Sequence, residues 1–368
     1  MLSASAQTAG RPFAVIDVNA GDRAVETWLW VLAALVFAMI VAGGATRLTD
    51  SGLSITEWKP IMGAIPPLTD ADWQSAFTKY KQIPEYALVN QGMVLGDFKF
   101  IYWWEWSHRF LGRLIGFVCA VPLAFFWING RLRVGLKPKL LGVLALGGLQ
   151  GAIGWYMVSS GLAERVDVSQ YRLTLHLTTA FSIFALIVWL ALDEGEQRRV
   201  TPASSGAPHR GCIVAAVLIG LVLLQVVLGG FVAGLKAGLI YNTWPDMNGR
   251  FFPTDYWTNA GYLSIFESHA AAQFNHRLTA YLVFAVAALQ VFWLSRAGVA
   301  GRVVRSSKLL LLAIVAQTAI GIATLLHHVP LPLGLLHQSG GAIVLALAVW
   351  HLFTTRRAAE LTEPQHQL

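Results

Sequence analysis

Long apolar runs separated by polar segments dominate the chain. Each run is about as long as the roughly 20 residues that cross a bilayer as a helix. None alternates apolar and polar residues at every second position, as a membrane β-barrel strand would. The pattern therefore predicts an all-α polytopic membrane protein with eight transmembrane helices. The eight runs cover residues 27–45, 105–129, 139–158, 172–192, 211–233, 270–294, 308–327 and 334–354.

The composition excludes an ordinary soluble protein. Hydrophobic residues make up 55% of the chain and charged residues only 13%, whereas soluble domains carry about 25% charged residues. The net charge of +7 does not indicate nucleic-acid binding, because the basic residues lie mainly between the apolar runs. The two cysteines, Cys119 and Cys212, lie inside and at the start of apolar runs. They indicate neither a disulfide framework nor a cysteine metal site.

The distribution of Lys and Arg predicts the orientation in the membrane. The N-terminus, the loops near 130–139, 193–210 and 295–308, and the C-terminus together carry more of them than the remaining connections. Because basic loops stay on the cytoplasmic side, we expect both termini in the cytoplasm and the two long loops, about 46–104 and 234–269, outside. No cleavage site of small residues follows the first run, so we interpret it as a retained helix.

An internal repeat indicates two duplicated four-helix bundles. Residues 43–67 align with 229–253 at a constant offset of 186, which pairs Gly43-Gly44 with Gly229-Gly230. After a gap, His108-Arg109 aligns with His276-Arg277, and His176 with His337. The chain is thus expected to comprise two halves. The expected segments are a cytoplasmic N-terminal segment (1–26), an N-terminal half (27–192), a cytoplasmic linker (193–210), a C-terminal half (211–354) and a cytoplasmic tail (355–368).

Four of the ten histidines occupy repeated positions. These are His108, His176, His276 and His337, near the predicted starts of the second, fourth, sixth and eighth helices. The two helices of each half that carry them run in the same direction, so their imidazoles are expected to lie at one depth, toward the outer face. We expect interfacial or solvated roles for most of the others, among them His209, His327, His328, His351 and His366.

Two facing imidazoles are what a bis-His heme requires, since heme iron takes two axial nitrogens from opposite sides. Plain packing is the alternative, but unpartnered histidines are costly in a membrane interior. Zinc would need three or four ligands close together, which two histidines per half do not provide. We therefore predict heme iron between His276 and His337 and between His108 and His176.

Charged residues near the histidines suggest further roles. Arg109 and Arg277 directly follow a histidine, and a guanidinium can hold a heme propionate with two hydrogen bonds. Snorkelling to the lipid headgroups is the equally simple alternative. Arg113 lies one turn beyond Arg109 and should share its face.

Glu105 stands three residues before His108, while the equivalent residue in the second half is the neutral Gln273. Glu105 is expected to face the same region as His108, where it could handle protons or stabilise positive charge. A structural ion pair with Arg109, or an interfacial location, is the alternative. The asymmetry favours chemistry in the first half, with Glu105, His108 and His176 as catalytic candidates, and a resident cofactor in the second.

These features together resemble the heme A synthase family from about residue 28 to residue 351. The resemblance implies an oxidoreductase that converts the C8 methyl of heme O, through an alcohol and with loss of water, to the formyl group of heme A for cytochrome oxidase. It also implies that heme B is bound by His276 and His337, that heme O binds at His108 and His176, and that Glu105 is the family's important glutamate. The motifs that carry it are GGATRLTDSGLSITEWKPIMGAIPP, EWSHR, LHLTTA, NTWPDMNG, FNHRLTA and LHQSGG.

The chain is similar to the cysteine-poor type of that family, shared by mitochondria and their bacterial relatives, since its outer loops lack a cysteine pair. We expect a bacterial inner-membrane protein whose partners are lipid, heme O handed over by heme O synthase, an electron donor and, as an open alternative, further copies of itself. A non-catalytic di-heme b-type electron carrier is the competing interpretation. A transporter is disfavoured, because the repeats are parallel and the histidines lie near one face.

Overall fold

The computed structural model describes residues 21–59, 61–162, 165–197 and 209–360. The N-terminal segment 1–26, the linker 193–210 and the tail 355–368 lie largely outside these ranges, so their expected cytoplasmic location stays a prediction. The side chain of His209 and all of His366 are also outside the described residues.

Helices form nearly all the ordered structure of the described ranges. Eight of them are long and apolar enough to cross a membrane, which confirms the predicted all-α multi-pass fold. The other three α-helices of the described residues are short and lie in the two long loops. In chain order the helices are α1 (Arg23–Leu48), α2 (Asp70–Tyr80), α3 (Pro84–Leu88), α4 (Leu95–Ile128), α5 (Lys137–Val158), α6 (Gln170–Gln197), α7 (His209–Gly234), α8 (Ser264–Glu267), α9 (His269–Arg296), α10 (Gly301–Leu326) and α11 (Leu331–Glu360).

Helix α4 begins well before the predicted start of the second crossing at residue 105. Its first turns pack on the short helix α2, where Phe77 and Tyr80 meet Phe98 with ring centres 4.9 and 5.2 Å apart. This aromatic cluster gives the outer part of α4 a buried face of its own, so the helix extends beyond the apolar run. His108 consequently lies more than three turns into α4 instead of at its start.

The contacts between helices place α1, α6, α7 and α11 at the centre of the molecule. Helix α6 packs against both α1 and α7, and α11 packs against α1, α6 and α7. Helices α4 and α5 bridge α1 to α6, while α9 and α10 bridge α7 to α11. Each set of four therefore closes a ring. This arrangement is compatible with two halves, although the duplication itself remains a prediction from the sequence.

The outer helices expose large apolar side chains. Phe117 on α4, Leu289 on α9 and Leu312 on α10 are each more than half exposed. Water would penalise such surfaces, whereas lipid is as apolar as the side chains themselves. The exposed faces are those that a bilayer would cover.

Charged residues tie several helix ends together at the face opposite the long loops. The buried Glu194 carboxylate accepts hydrogen bonds from the Asp22 backbone N–H at 2.7 Å and from Arg133 Nε at 2.8 Å. Asp193 in turn pairs with Arg133 at 3.1 Å and with Arg357 at 2.9 Å. This network links the ends of α1, α6 and α11 on the side predicted to be cytoplasmic.

His351 differs from the expectation of a solvated or interfacial residue, which is wrong for this side chain. It is 0% exposed on α11, and its Nδ1 lies 2.8 Å from Ser306 Oγ on α10. His351 lies within the predicted apolar run, on the face of α11 that packs against α10.

Candidate heme-binding sites

Each of the four repeated histidines packs over a glycine of the preceding long helix. A Cβ atom at any of these glycines would lie within 3.2 Å of the imidazole Cε1. Only a residue without a side chain lets the ring lie so close to the neighbouring helix. The pairs are His108 on Gly43, His176 on Gly154, His276 on Gly229 and His337 on Gly321, with Cβ to Cε1 distances of 3.0, 3.0, 3.2 and 2.7 Å.

Three of these glycines are preceded, four residues earlier, by a glutamine. The glutamine side chain hydrogen-bonds to the histidine that packs on the glycine. Its Nε2 donates to the backbone carbonyl of the histidine and lies near a ring nitrogen. For Gln150 and His176 these two distances are 2.9 and 3.1 Å. For Gln225 and His276 they are 3.0 and 3.3 Å. For Gln317 and His337 they are 2.7 and 3.1 Å.

The two histidines of the second half face each other. The ring centres of His276 and His337 are 6.3 Å apart, and the rings are inclined by 80°. Two imidazoles on opposite sides of one metal ion have centres roughly 6 Å apart, the sum of two bonds of about 2 Å and the two ring radii.

Orphaned polar atoms around the histidines fit a heme ligand. The Oε1 atoms of Gln150, Gln225 and Gln317 are buried without a hydrogen bond in the described structure. A metal-ligating imidazole must donate its second N–H to an acceptor. The amide Nε2 now lies beside a ring nitrogen, so the amide would have to turn over to offer its oxygen as that acceptor. Among the described residues, no three His, Cys, Asp or Glu side chains cluster closely enough to hold a metal ion by themselves.

Glu105 is buried, with 2% of its surface exposed, and every hydrogen bond described for it is one that it accepts. Its Oε2 receives bonds from Ser54 Oγ and the Ile55 N–H, both at 2.7 Å. Its Oε1 receives bonds from Arg109 Nε at 3.0 Å and Nη2 at 2.5 Å. Arg109 also donates to the carbonyls of Ile55 and Glu57. The pair therefore fastens the first outer loop to α4, as the ion-pair alternative anticipated.

The equivalent pair in the second half keeps the bond between the two side chains but binds its loop with the opposite hydrogen-bond polarity. Gln273 Nε2 donates to the carbonyls of Ala237 at 3.0 Å and Ile240 at 2.5 Å. Its Oε1 accepts from Arg277 Nη2 at 3.0 Å. Arg277 donates to the carbonyls of Tyr241 and Asp246. Both halves thus use the same positions to fasten a loop, but only the first half uses a carboxylate.

The arginines are engaged with these loops. Arg113 donates to the Lys59 carbonyl at 3.1 Å. Arg277 also lines a cavity with Met247, Phe274 and Tyr281, and its Nε is buried without a partner in the described structure. These contacts differ from simple snorkelling, because both Arg109 and Arg277 bind backbone carbonyls of the outer loops.

The second glycine of each Gly-Gly pair joins the two sets of helices. A Cβ at Gly44 would lie 2.8 Å from the Gln338 side chain, next to His337. Gln338 Nε2 donates to the Ile40 carbonyl at 2.5 Å. A Cβ at Gly230 would lie 2.8 Å from Thr174 Oγ1, two residues before His176. Each pair therefore contacts a histidine through its first glycine and the other set of helices through its second.

The sequence reasoning did not assign a role to the glutamines or to Ser54. A signal for the glutamines was available, since Gln150, Gln225 and Gln317 all precede a small-residue contact by four positions. Ser54 had no such signal, because its contact with Glu105 spans a loop and a helix 51 residues apart.

Comparisons with known proteins agree with this architecture. A family model described as "Cytochrome oxidase assembly protein" matches residues 26–349. A protein of Maricaulis maris named "Heme A synthase" is 52% identical over 350 residues, which cover 92% of this chain and 97% of the relative.

Two further relatives bear the same name. The Parvibaculum lavamentivorans protein is 49% identical, over 92% of this chain and 96% of its own length. The Mesorhizobium japonicum protein is 47% identical, over 98% of both chains. Such identity over nearly the whole length covers all eight long helices, and the chain therefore belongs to the heme A synthase family of cytochrome oxidase assembly proteins.

Proposed function

We propose that this multi-pass membrane oxidoreductase converts heme O to heme A, with heme O bound between His108 and His176 and heme B held permanently between His276 and His337. The observation that carries the proposal is the repeated imidazole, packed on glycine at all four positions and presented as a facing pair in the second half. The separation of 6.3 Å between His276 and His337 supports bis-His binding in the second half.

Heme B, when bound, supplies one-electron redox chemistry. The protein contributes the positions of the ligands and the surroundings of the substrate. His276 and His337 are held by Gln225 and Gln317, so their rings are oriented before a heme arrives. Such preorganisation suits a cofactor that stays in place.

The first half is proposed as the catalytic site because it contains Glu105. Oxidation of the C8 methyl makes its carbon electron-poor, and a carboxylate can stabilise positive charge or accept a proton there. Ser54, Ile55 and Arg109 fix both carboxylate oxygens of Glu105. We infer that they keep it as an acceptor at one position beside the substrate.

Arg109 and Arg277 are proposed to anchor heme propionates. Each lies one residue after a proposed ligand, and each already orders an outer loop through backbone carbonyls. A propionate bound there would meet a guanidinium whose direction is set. Replacement by Lys would keep the charge but lose the bidentate geometry.

The proposed location is a bacterial inner membrane, with both termini cytoplasmic and the heme sites toward the outer face. The distribution of basic residues supports this orientation. Delivery of heme O by heme O synthase, an external electron donor and assembly with further copies are proposed partners.

The decisive experiment is purification from cells that make heme O, followed by chromatography of the extracted hemes and an optical spectrum. We expect heme B together with heme O or heme A, and a low-spin bis-His spectrum. His276→Ala and His337→Ala should each remove the heme B signal. Heme B in both halves with no heme A formed would support the di-heme electron carrier instead, and full wild-type heme content in both variants would refute the assignment of the ligands.

A further inference from the structure

One of the four histidines lacks the amide that holds the others. Gln150, Gln225 and Gln317 stand four residues before the glycines under His176, His276 and His337. The residue four positions before Gly43, under His108, is Met39. The first ligand position of the first half is therefore the exception in an otherwise repeated arrangement.

The surroundings of His108 reflect this difference. Its Nδ1 is buried and has no hydrogen-bond partner in the described part of the chain. The Nδ1 of His276 is also unpartnered, but the Nε2 of that ring lies 3.3 Å from Gln225. The Met39 side chain packs instead toward Gly112 on α4, where a Cβ would lie 3.3 Å from the methionine Cε. A thioether is at best a weak acceptor, so Met39 cannot replace the amide. The glycine still brings His108 close to α1, but no side chain described there fixes the direction of its ring.

A hydrogen bond that a ligating imidazole donates from its second N–H to an acceptor fixes the ring and raises its basicity. The amide oxygen of a glutamine beside the ring can serve as this acceptor once the amide is turned over. Loss of such a partner typically costs about 10–100-fold in metal affinity. The two halves differ in what they must do with a heme, since a cofactor stays while a substrate must enter and its product must leave. A ligand without this hydrogen bond is the simplest way to weaken one of two axial bonds.

We propose that Met39 makes His108 the exchangeable ligand of the first half, so that heme O and heme A are held firmly by His176 alone. Met39 acts through His108 and is a positioning residue. This inference rests on the proposed function, because it presumes that a heme binds between His108 and His176.

The test is Met39→Gln in the full-length protein in detergent, loaded with heme O. Excess heme-free myoglobin is added as an acceptor, and the heme O that remains on the protein is measured by chromatography over time. We expect the variant to release heme O at least about tenfold more slowly than the wild type. Heme B in the same samples reports on the second half and should stay unchanged.

Two further variants separate the proposal from unspecific effects. Ala38→Gln adds the same amide one residue away, at an exposed position of α1, and should leave the release rate at the wild-type value. The reciprocal Gln225→Met removes the amide at His276 and should speed the loss of heme B by about tenfold or more.

Unchanged release of heme O from Met39→Gln, or unchanged heme B retention in Gln225→Met, would overturn the proposal while leaving the proposed function intact. The proposed function itself would fail if the wild type bound no heme O in the first place. An equal slowing in Ala38→Gln would also contradict the inference, because the effect would then belong to any added amide on α1.

Discussion

At the scale of single residues, Glu105 and Gln273 show that equivalent positions can keep one task while differing in chemistry. Both are buried and both fasten an outer loop to a long helix. Glu105 alone offers a negative charge beside a proposed heme site. Its role in fastening the loop does not exclude a chemical role. The two roles predict different effects of Glu105→Gln on the binding of heme O.

We predict that Glu105→Gln lowers the yield of heme A at least about a hundredfold, the usual contribution of a positioned acid or base. Heme O should still bind and should accumulate on the protein, or stop at the alcohol, and the heme B content should be normal. Chromatography of the hemes extracted from the purified variant measures all four species. Gln273→Glu provides the matched change in the second half and should not raise the yield of heme A.

Loss of heme O from the purified Glu105→Gln protein would have a different meaning. It would show that the carboxylate positions the loop and Arg109 without acting on the substrate. A normal yield of heme A would remove Glu105 from the mechanism altogether.

Glu85 in the first outer loop should make the stability of that loop depend on pH. It is 5% exposed on α3, and burial, assisted by Asp50, Glu105 and Asp167 and opposed by Lys236, raises its pKa from 4.5 to about 8. Between these values the folded loop binds more protons than the unfolded loop, so its stability falls as the pH rises toward 8. Limited proteolysis should therefore cut the loop faster at pH 8.5 than at pH 5.5.

Glu85→Gln stays neutral at every pH and should largely abolish this dependence, with the loop more resistant than the wild type at pH 8.5. The same pH dependence in wild type and variant would assign it to other groups.

At the scale of elements, the glycine under each histidine sets how closely two neighbouring helices approach. Helix α5 offers a direct comparison, because Gly154 lies under His176 whereas a Cβ at Gly151 would meet nothing within 4 Å. The two positions are three residues apart on one helix. Their difference isolates the contact with the ring from any general effect of glycine.

Gly154→Ala should displace the His176 ring and reduce the heme O retained by the purified protein, with heme B unchanged. Gly151→Ala should retain heme O normally, since alanine in a helix interior is favoured over glycine by about 1 kcal/mol. Heme O per protein molecule is the quantity to compare. Equal retention in the two variants would show that the close approach is dispensable.

The elements also show how far the sequence could be interpreted. The eight crossings could be predicted from the lengths of the apolar runs, and the repeated histidines from the constant offset between the two halves. The early start of α4 could not be predicted, because it depends on Phe98 packing on residues of α2. The partners of Glu105 were equally out of reach, since nothing in the pattern of a loop shows which of its N–H groups will meet a helix 50 residues later.

At the scale of the whole molecule, the two sets of helices share a tight contact. Gly230 on α7 faces Thr174 on α6, and a Cβ there would lie 2.8 Å from the Thr174 side chain and 3.1 Å from its Cα. Backbone atoms cannot rotate away as a side chain can, so the helices themselves would have to separate.

We predict that Gly230→Ala lowers the thermal stability of the detergent-solubilised protein by about 1–3 kcal/mol, the usual cost of overpacking. Gly220→Ala on the same helix is the control, because a Cβ at that glycine meets nothing within 4 Å. Its melting temperature should equal or exceed that of the wild type. A Gly230→Ala protein as stable as this control would show that α6 and α7 can move apart at no cost.

The reversed hydrogen-bond polarity at Glu105 and Gln273 has a consequence for how such a molecule can change over generations. An amide at 105 would place an N–H₂ group toward the Ile55 N–H, while a carboxylate at 273 would face the carbonyls of Ala237 and Ile240. Either substitution alone would leave two donors or two acceptors facing each other in a buried place, which costs about 1–3 kcal/mol. Drift cannot readily interconvert the two halves by one mutation at a time, so a difference once established between them tends to persist.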